Sequence, residues 1–295
     1  SDVYIVRTDN NGTKIWENTY DINGAKGIDV GASIIELSDG SGFMVVGSTD
    51  VNRGIGLDGF DIFLMKIDCD GAIVWSMIYG GTWEDQSFDL MEARTGSTVI
   101  VGGVTYAAKP GDILVVGWTK SVTAFNGQRI QEGYMMRTDR NGVIIWGRSY
   151  REGGFLPLPS TLQNSQQFLS LTDLSRYTLP GVFPPVLVED LIAVGVFHDV
   201  STLLGVQGWV VRVNANTGLT ANPARHGSAT YGGIRQSQTS QGCSDDTTVL
   251  SGAEVFTSVV ELPQNPFNTA ADVVLAGHTT TYFPSEIYLV GLTGG

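Results

Sequence analysis

The chain has 295 residues, 42% of them hydrophobic, enough to bury a large core in one all-β domain or in two smaller ones. Its 38 glycines and 16% charged residues favour many short strands joined by tight turns over a helical bundle, because glycine supplies the positive φ that turns require. A formal charge of -13 repels phosphate backbones and anionic bilayers, which predicts no nucleic-acid partner, and the most apolar stretch, 180–197, is broken by Pro184, Pro185, Glu189 and Asp190, which predicts no membrane span.

A fixed series of segments then recurs along the chain. The first repeat, about 1–57, opens with the strand VYIVRT, turns at Asn11-Gly12, and carries Trp16 and Tyr20 on one face of a second strand; SIIEL from Ser33 and VVGST around Gly47 follow. The second, about 58–127, reads DIFLMKIDCDG with a turn at Asp70-Gly71, then Trp75 and Tyr79, DLMEA from Asp89, and VVGWT around Gly117. The third, about 128–205, has GYMMRTDRNG with Asn141-Gly142, then Trp146 and Tyr150, SLTDL from Ser170, and AVGVF around Gly195. The fourth, about 206–285, keeps GWVVRVNANTG with the weaker turn Thr217-Gly218 and Tyr231 without a tryptophan; SVVEL from Ser258 and LAGHT around Gly277 complete it. Residues 286–295, EIYLVGLTGG, repeat the opening strand, with Gly291 in the place of Arg7. Four strands per repeat predict an all-β fold, a β-propeller of four-stranded antiparallel blades in one domain, 1–295, with the first strand of a fifth blade at its end. The three tryptophans are expected to be buried between blades. The spacing of the aligned tyrosines grows along the chain while the strands persist, so the added residues lengthen loops on both faces of the disc.

These columns resemble the β-propeller repeats of exported proteins of Bacteroidetes and some archaea, D-x-x-L-x-K-x-D-x-x-G, W-x-x-x-Y-G-G-x-x-x-D and G-Y-x-V-x-G-x-T. The second repeat matches best, through Asp61, Leu64, Lys66, Asp68, Gly71, Trp75, Tyr79, Gly80, Gly81 and Asp85. The resemblance implies architecture and export to the cell surface or beyond, and carries no catalytic motif. The opening at Ser1 without a methionine or an apolar leader points to a processed product or a segment of something longer.

Each repeat places a basic residue in its first strand, Arg7, Lys66, Arg137 and Arg212, and an acid in its third, Glu36, Glu92, Asp173 and Glu261. Repetition in every blade points to a structural need such as a partly buried ion pair, since a catalytic site breaks symmetry. The Asp9, Asp68, Asp139 and Asn214 column fits turn chemistry, lacking the full calcium-loop pattern. Structural calcium has one alternative location, the cluster of Asp50, Asp58 and Asp61, and no other cofactor is expected. Trp83, Glu84 and Asp85 combine an aromatic with carboxylates and form the candidate binding surface. The two cysteines, Cys69 and Cys243, fall in loops expected at opposite ends of a blade stack and are not expected to bridge. The functional expectation is a non-enzymatic extracellular binding or assembly module contacting protein or carbohydrate. Its rivals are a polysaccharide-active enzyme and a structural subunit that self-associates through Glu286 to Leu292.

Overall fold

The computed structural model describes residues 1–22, 24, 27–50, 59–122, 124–125, 128–152, 165–178, 187–199, 205–220, 227–231, 236–239, 242–245, 254–261, 272–279 and 286–293. The described residues contain strands and turns and no helix. They fall into two compact units, one made of 1–124, 131–150 and 216–218, the other of 125–130, 151–215 and 219–295.

In the first unit, β1 (Val3–Thr8) and β2 (Lys14–Tyr20) pair as a two-stranded sheet. A four-stranded antiparallel sheet follows in chain order, β3 (Asp29–Glu36), β4 (Phe43–Thr49), β5 (Asp61–Ile67) and β6 (Ile73–Tyr79). The next has the order β7 (Asp85–Glu92), β10 (Ile113–Thr119), β13 (Glu132–Thr138) and β14 (Ile144–Tyr150). A short ribbon, β8 (Thr98–Val101) with β9 (Val104–Ala107), occupies an inserted loop, and another pairs β11 (Ala124–Phe125) with β12 (Gln128–Arg129), of which all but Ala124 is assigned to the second unit. The second unit contains the sheet β15 (Ser165–Thr178), β16 (Leu187–Asp199), β17 (Gly205–Asn214) and β18 (Gly227–Tyr231). It also holds a ribbon of β19 (Gln236–Thr239) and β20 (Gly242–Asp245), and a three-stranded sheet of β21 (Glu254–Glu261), β22 (Asp272–Thr279) and β23 (Glu286–Thr293).

The sheets do not coincide with the sequence repeats. Each complete sheet joins the third and fourth strands of one repeat to the first and second strands of the next. The glycine column explains part of this pairing. The third strand bulges opposite Gly47, Gly117, Gly195 and Gly277, and its carbonyl at Val30, Gln86, Gln167 or Val255 presses in so closely that a Cβ on the glycine would lie 1.8 to 2.1 Å from that oxygen.

Within the first unit the sheets stack face to face. Val3, Tyr20 and Ile5 pack on Phe63, Met65 and Ile67 of the next sheet, and Ile62 and Leu64 on its other face pack on Met136, Leu90 and Val115. The W-x-x-x-Y pair latches each step. Trp16, Trp75 and Trp146 lie over the turn glycines Gly71, Gly142 and Gly218, within about 3 Å of where a Cβ would be. Tyr20, Tyr79 and Tyr150 donate their hydroxyls to the carbonyls of the same glycines at 2.8, 2.7 and 2.6 Å. Trp146 is buried, whereas Trp16 and Trp75 are half-buried. The side chain of Tyr231 lies outside the described residues.

The turns themselves are built by the aspartate column. One carboxylate oxygen accepts two backbone N–H groups in each, from Asn11 and Thr13 to Asp9, Asp70 and Ala72 to Asp68, and Asn141 and Val143 to Asp139, all at 2.8 to 2.9 Å. These bonds hold the exposed Asp9 carboxyl below its usual range. The glycines that follow adopt φ of 80, 82 and 83°, the left-handed region.

The basic column meets acids the repeat alignment did not single out. Arg137, fully buried, donates Nε to Asp112 at 2.8 Å, and Nη2 to the carbonyls of Thr95 and Lys109. Arg212 donates Nε to Asp190 at 2.9 Å. Asp112 and Asp190 hold the same place near the start of the fourth strand, where the first complete sheet has Gly42. Arg7 donates instead to the carbonyl of Cys69, whose thiol is free and exposed.

Candidate functional site

The two complete sheets of the first unit enclose a cleft of about 330 Å³. Ile62, Ile78 and Ile144 form its apolar wall, while Tyr134, Asp85 and Ser121 supply the polar groups and Gly80 and Gly81 its rim. Tight packing explains the rim. A Cβ on Gly80 would lie 2.0 Å from Oδ1 of Asp61, and one on Gly81 would lie 2.5 Å from Cβ of Ser121. The Tyr79-Gly80-Gly81 run after β6 therefore lets backbone pass over two polar side chains.

Asp85 opens β7 and is buried; its Oδ2 accepts the N–H of Gly81 at 2.9 Å and the hydroxyl of Ser121 at 2.8 Å. The Ser121 oxygen lies 2.8 Å from the Trp83 carbonyl and accepts the Trp83 N–H at 3.0 Å, so one hydroxyl proton is shared between a carboxylate and a carbonyl. Asp29 repeats the arrangement one sheet earlier, accepting the N–H of Ile22 at 3.0 Å and the hydroxyl of Thr49 at 2.5 Å. The acid at the head of the third strand is thus a recurrent loop clamp.

Asp61 differs. It opens β5 with 8% of its surface exposed, and burial, followed by the negative charge of Asp85, pushes its carboxyl up to about 6. The phenols nearby are pushed up to about 12, Tyr134 by burial and then Asp85, and Tyr79 by burial and then Asp139. Both are protonated at neutral pH, and Tyr79 spends its proton on Gly142. Tyr150 is raised further by its burial.

The three residues singled out as a binding surface diverge. Trp83 is 37% exposed beside the cleft, and Glu84 forms an ion pair with Lys120 at 2.7 Å. Asp85 alone reaches the cleft wall. Lys120 also lies 5.0 Å over the ring of Trp118. Of the calcium candidates, Asp61 belongs to this site, Asp50 is half-buried, and Asp58 lies outside the described residues. Among the described residues no three His, Cys, Asp or Glu side chains gather as metal ligands. Sequence reasoning missed Ser121 and Tyr134. Tyr134 carried a signal, since the residue three places before the basic column, or before Gly291 in the last copy, is aromatic in every first strand, namely Tyr4, Phe63, Tyr134, Trp209 and Tyr288. Ser121 carried none, because it lies in the connection after β10, outside the aligned segments.

No protein-family model matches the chain, and no curated protein matches its sequence.

Proposed function

We propose that the chain is an exported β-propeller binding module that takes a hydroxyl-rich ligand, a saccharide unit, in the cleft between its first two complete sheets. The propeller reading is supported in each unit by sheets that follow one another in chain order, each built from the same four strand types. The observation that carries the binding reading is the cleft itself, with an apolar wall of Ile62, Ile78 and Ile144 facing the hydroxyls of Tyr134 and Ser121, and Trp83 exposed at its side. Sugars match that chemistry, offering C–H faces to apolar walls and hydroxyls to a few fixed polar groups. A non-enzymatic role agrees with the occupied carboxylates, Glu84 by Lys120 and Asp85 by Gly81 and Ser121.

Titration calorimetry with a panel of soluble mono- and oligosaccharides tests this reading. Tyr134→Phe removes one hydroxyl and is expected to weaken binding about tenfold, the value of one hydrogen bond at a desolvated site. Ile144→Arg fills the mouth from an exposed position and is expected to abolish it. Absence of binding across the panel, or binding indifferent to both changes, overturns the assignment. A second reading rests on Asp61, whose carboxyl, raised by burial and by the charge of Asp85, has the character of a general acid in glycoside hydrolysis. Release of reducing ends from the same panel, lost in Asp61→Asn, would replace binding by catalysis.

A further inference from the structure

We propose that the β1–β2 hairpin of one copy of this chain completes the three-stranded sheet of a second copy by pairing with β22 in place of β23. Every complete sheet gives its first strand two neighbours. β5, β13 and β17 each lie between a fourth-type strand and a second-type strand. Among the described residues, β1 pairs with its second-type neighbour, β2, alone, and β23 with its fourth-type neighbour, β22, alone. The hairpin lacks what β22 offers, and the β22 sheet lacks what the hairpin offers.

The register makes the fit specific. The aromatic three residues before the basic column faces the glycine column, as Phe63 faces Gly47, Tyr134 Gly117 and Trp209 Gly195. Phe63 and Trp209 are 0% exposed, as are Met65 and Met136 two residues further on. The equivalent residues of β1, Tyr4 and Val6, are 58% and 43% exposed. Gly277 of β22 has the same bulged carbonyl against it as the other column glycines, and Tyr288 of β23 now holds the place opposite it.

Charge selects between the two occupants. The arginine of the first strand faces Leu114 in one sheet and Ile192 in another, and its acid stands two residues earlier, at Asp112 and Asp190. In the β22 sheet the facing residue is Val274, and two residues earlier the sequence has Asp272, yet β23 brings Gly291. β1 brings Arg7, now donating only to a backbone carbonyl and at a cation–π distance of 5.6 Å from Phe43. Exchange of β23 for β1 restores the basic residue opposite its acid and supplies the missing fourth strand.

Sedimentation of the 295-residue chain and of a variant lacking 286–295 tests the exchange. Freeing the edge of β22 is expected to bring on association at a concentration at least about tenfold lower, because an unpaired strand edge recruits a complementary one. Val6→Lys, made at an exposed site, is expected to return that variant to a monomer with an unchanged far-ultraviolet spectrum. In a Cys69→Ser, Cys243→Ser background, Ile5→Cys chains mixed with Ala276→Cys chains should form a disulfide dimer, since these positions would stand directly opposite. A deletion variant that stays monomeric, association indifferent to Val6→Lys, or a bridge formed within single chains carrying both cysteines overturns the proposal.

Discussion

Replacing Arg137 by methionine tests the argument about the basic column most severely. The guanidinium is fully buried, and its loss strands Asp112, whose side chain is 4% exposed, together with the carbonyls of Thr95 and Lys109. Removing one member of a buried pair costs about 3–5 kcal/mol, because the remaining charge keeps its desolvation penalty without its partner. For a unit of this size, each kcal/mol moves the melting temperature by about 2–4 °C, so the transition of the first unit should fall by roughly 6–20 °C. The companion change Asp112→Asn removes the orphaned charge while leaving an oxygen for the Lys109 N–H, which Asp112 Oδ2 accepts at 2.6 Å. The double variant is therefore expected to recover at least half of the loss. Calorimetry of the single and double variants reads both steps. A single variant within about 1 kcal/mol of the parent, or a double variant no better than the single, would refute the claim that this ion pair is held by burial rather than by the surface.

Two further outcomes follow from the cleft. With its folded pKa raised to about 6 from an ordinary 3.8, the Asp61 carboxyl stabilises the fold fully only below about pH 4, and that contribution is lost as pH rises through 6. Asp61→Asn should therefore be more stable than the parent at pH 7, by up to about 3 kcal/mol, with the difference vanishing near pH 4; urea midpoints across that range check the sign. Gly80→Ala drives a methyl to 2.0 Å from Oδ1 of Asp61 and should cost about 1–3 kcal/mol, whereas Gly227→Ala, with no atom within 4 Å of its added methyl, should stay within about 0.5 kcal/mol in the same thermal melt.

The sequence made the strand types legible and left their partners hidden, for a physical reason. A tandem repeat has a period but no phase, so VVGST and DIFLM read as the end of one unit and the start of another, although Gly47 and Phe63 are hydrogen-bonded neighbours in one sheet. The aspartate turns were legible because Asp68 caps its own five-residue connection, 68–72, accepting the N–H groups of Asp70 and Ala72. The ion pairs were only half legible. The arginines stood in a column, but their acids at Asp112 and Asp190 have glycine as their counterpart in the first complete sheet, which broke the pattern. At the cleft, Asp85 was visible as a repeated residue, and its role proved to be the repeated one shared with Asp29. Ser121, in the connection after β10, and Tyr134, on the neighbouring strand β13, reach the same cleft through the pairing of those strands in one sheet, a proximity that spacing along the chain does not encode.

The Trp–Tyr latch over the turn glycine has a consequence for how such a chain can change over time. Each latch joins one sheet only to the hairpin tip that follows it, so its cohesion is local and is counted step by step, as in a one-dimensional stack. The segments between latches are then free to drift in length and composition without disturbing the neighbours. Novel surface can be trialled in one connection at a time, and a damaging insertion is confined to the step that received it.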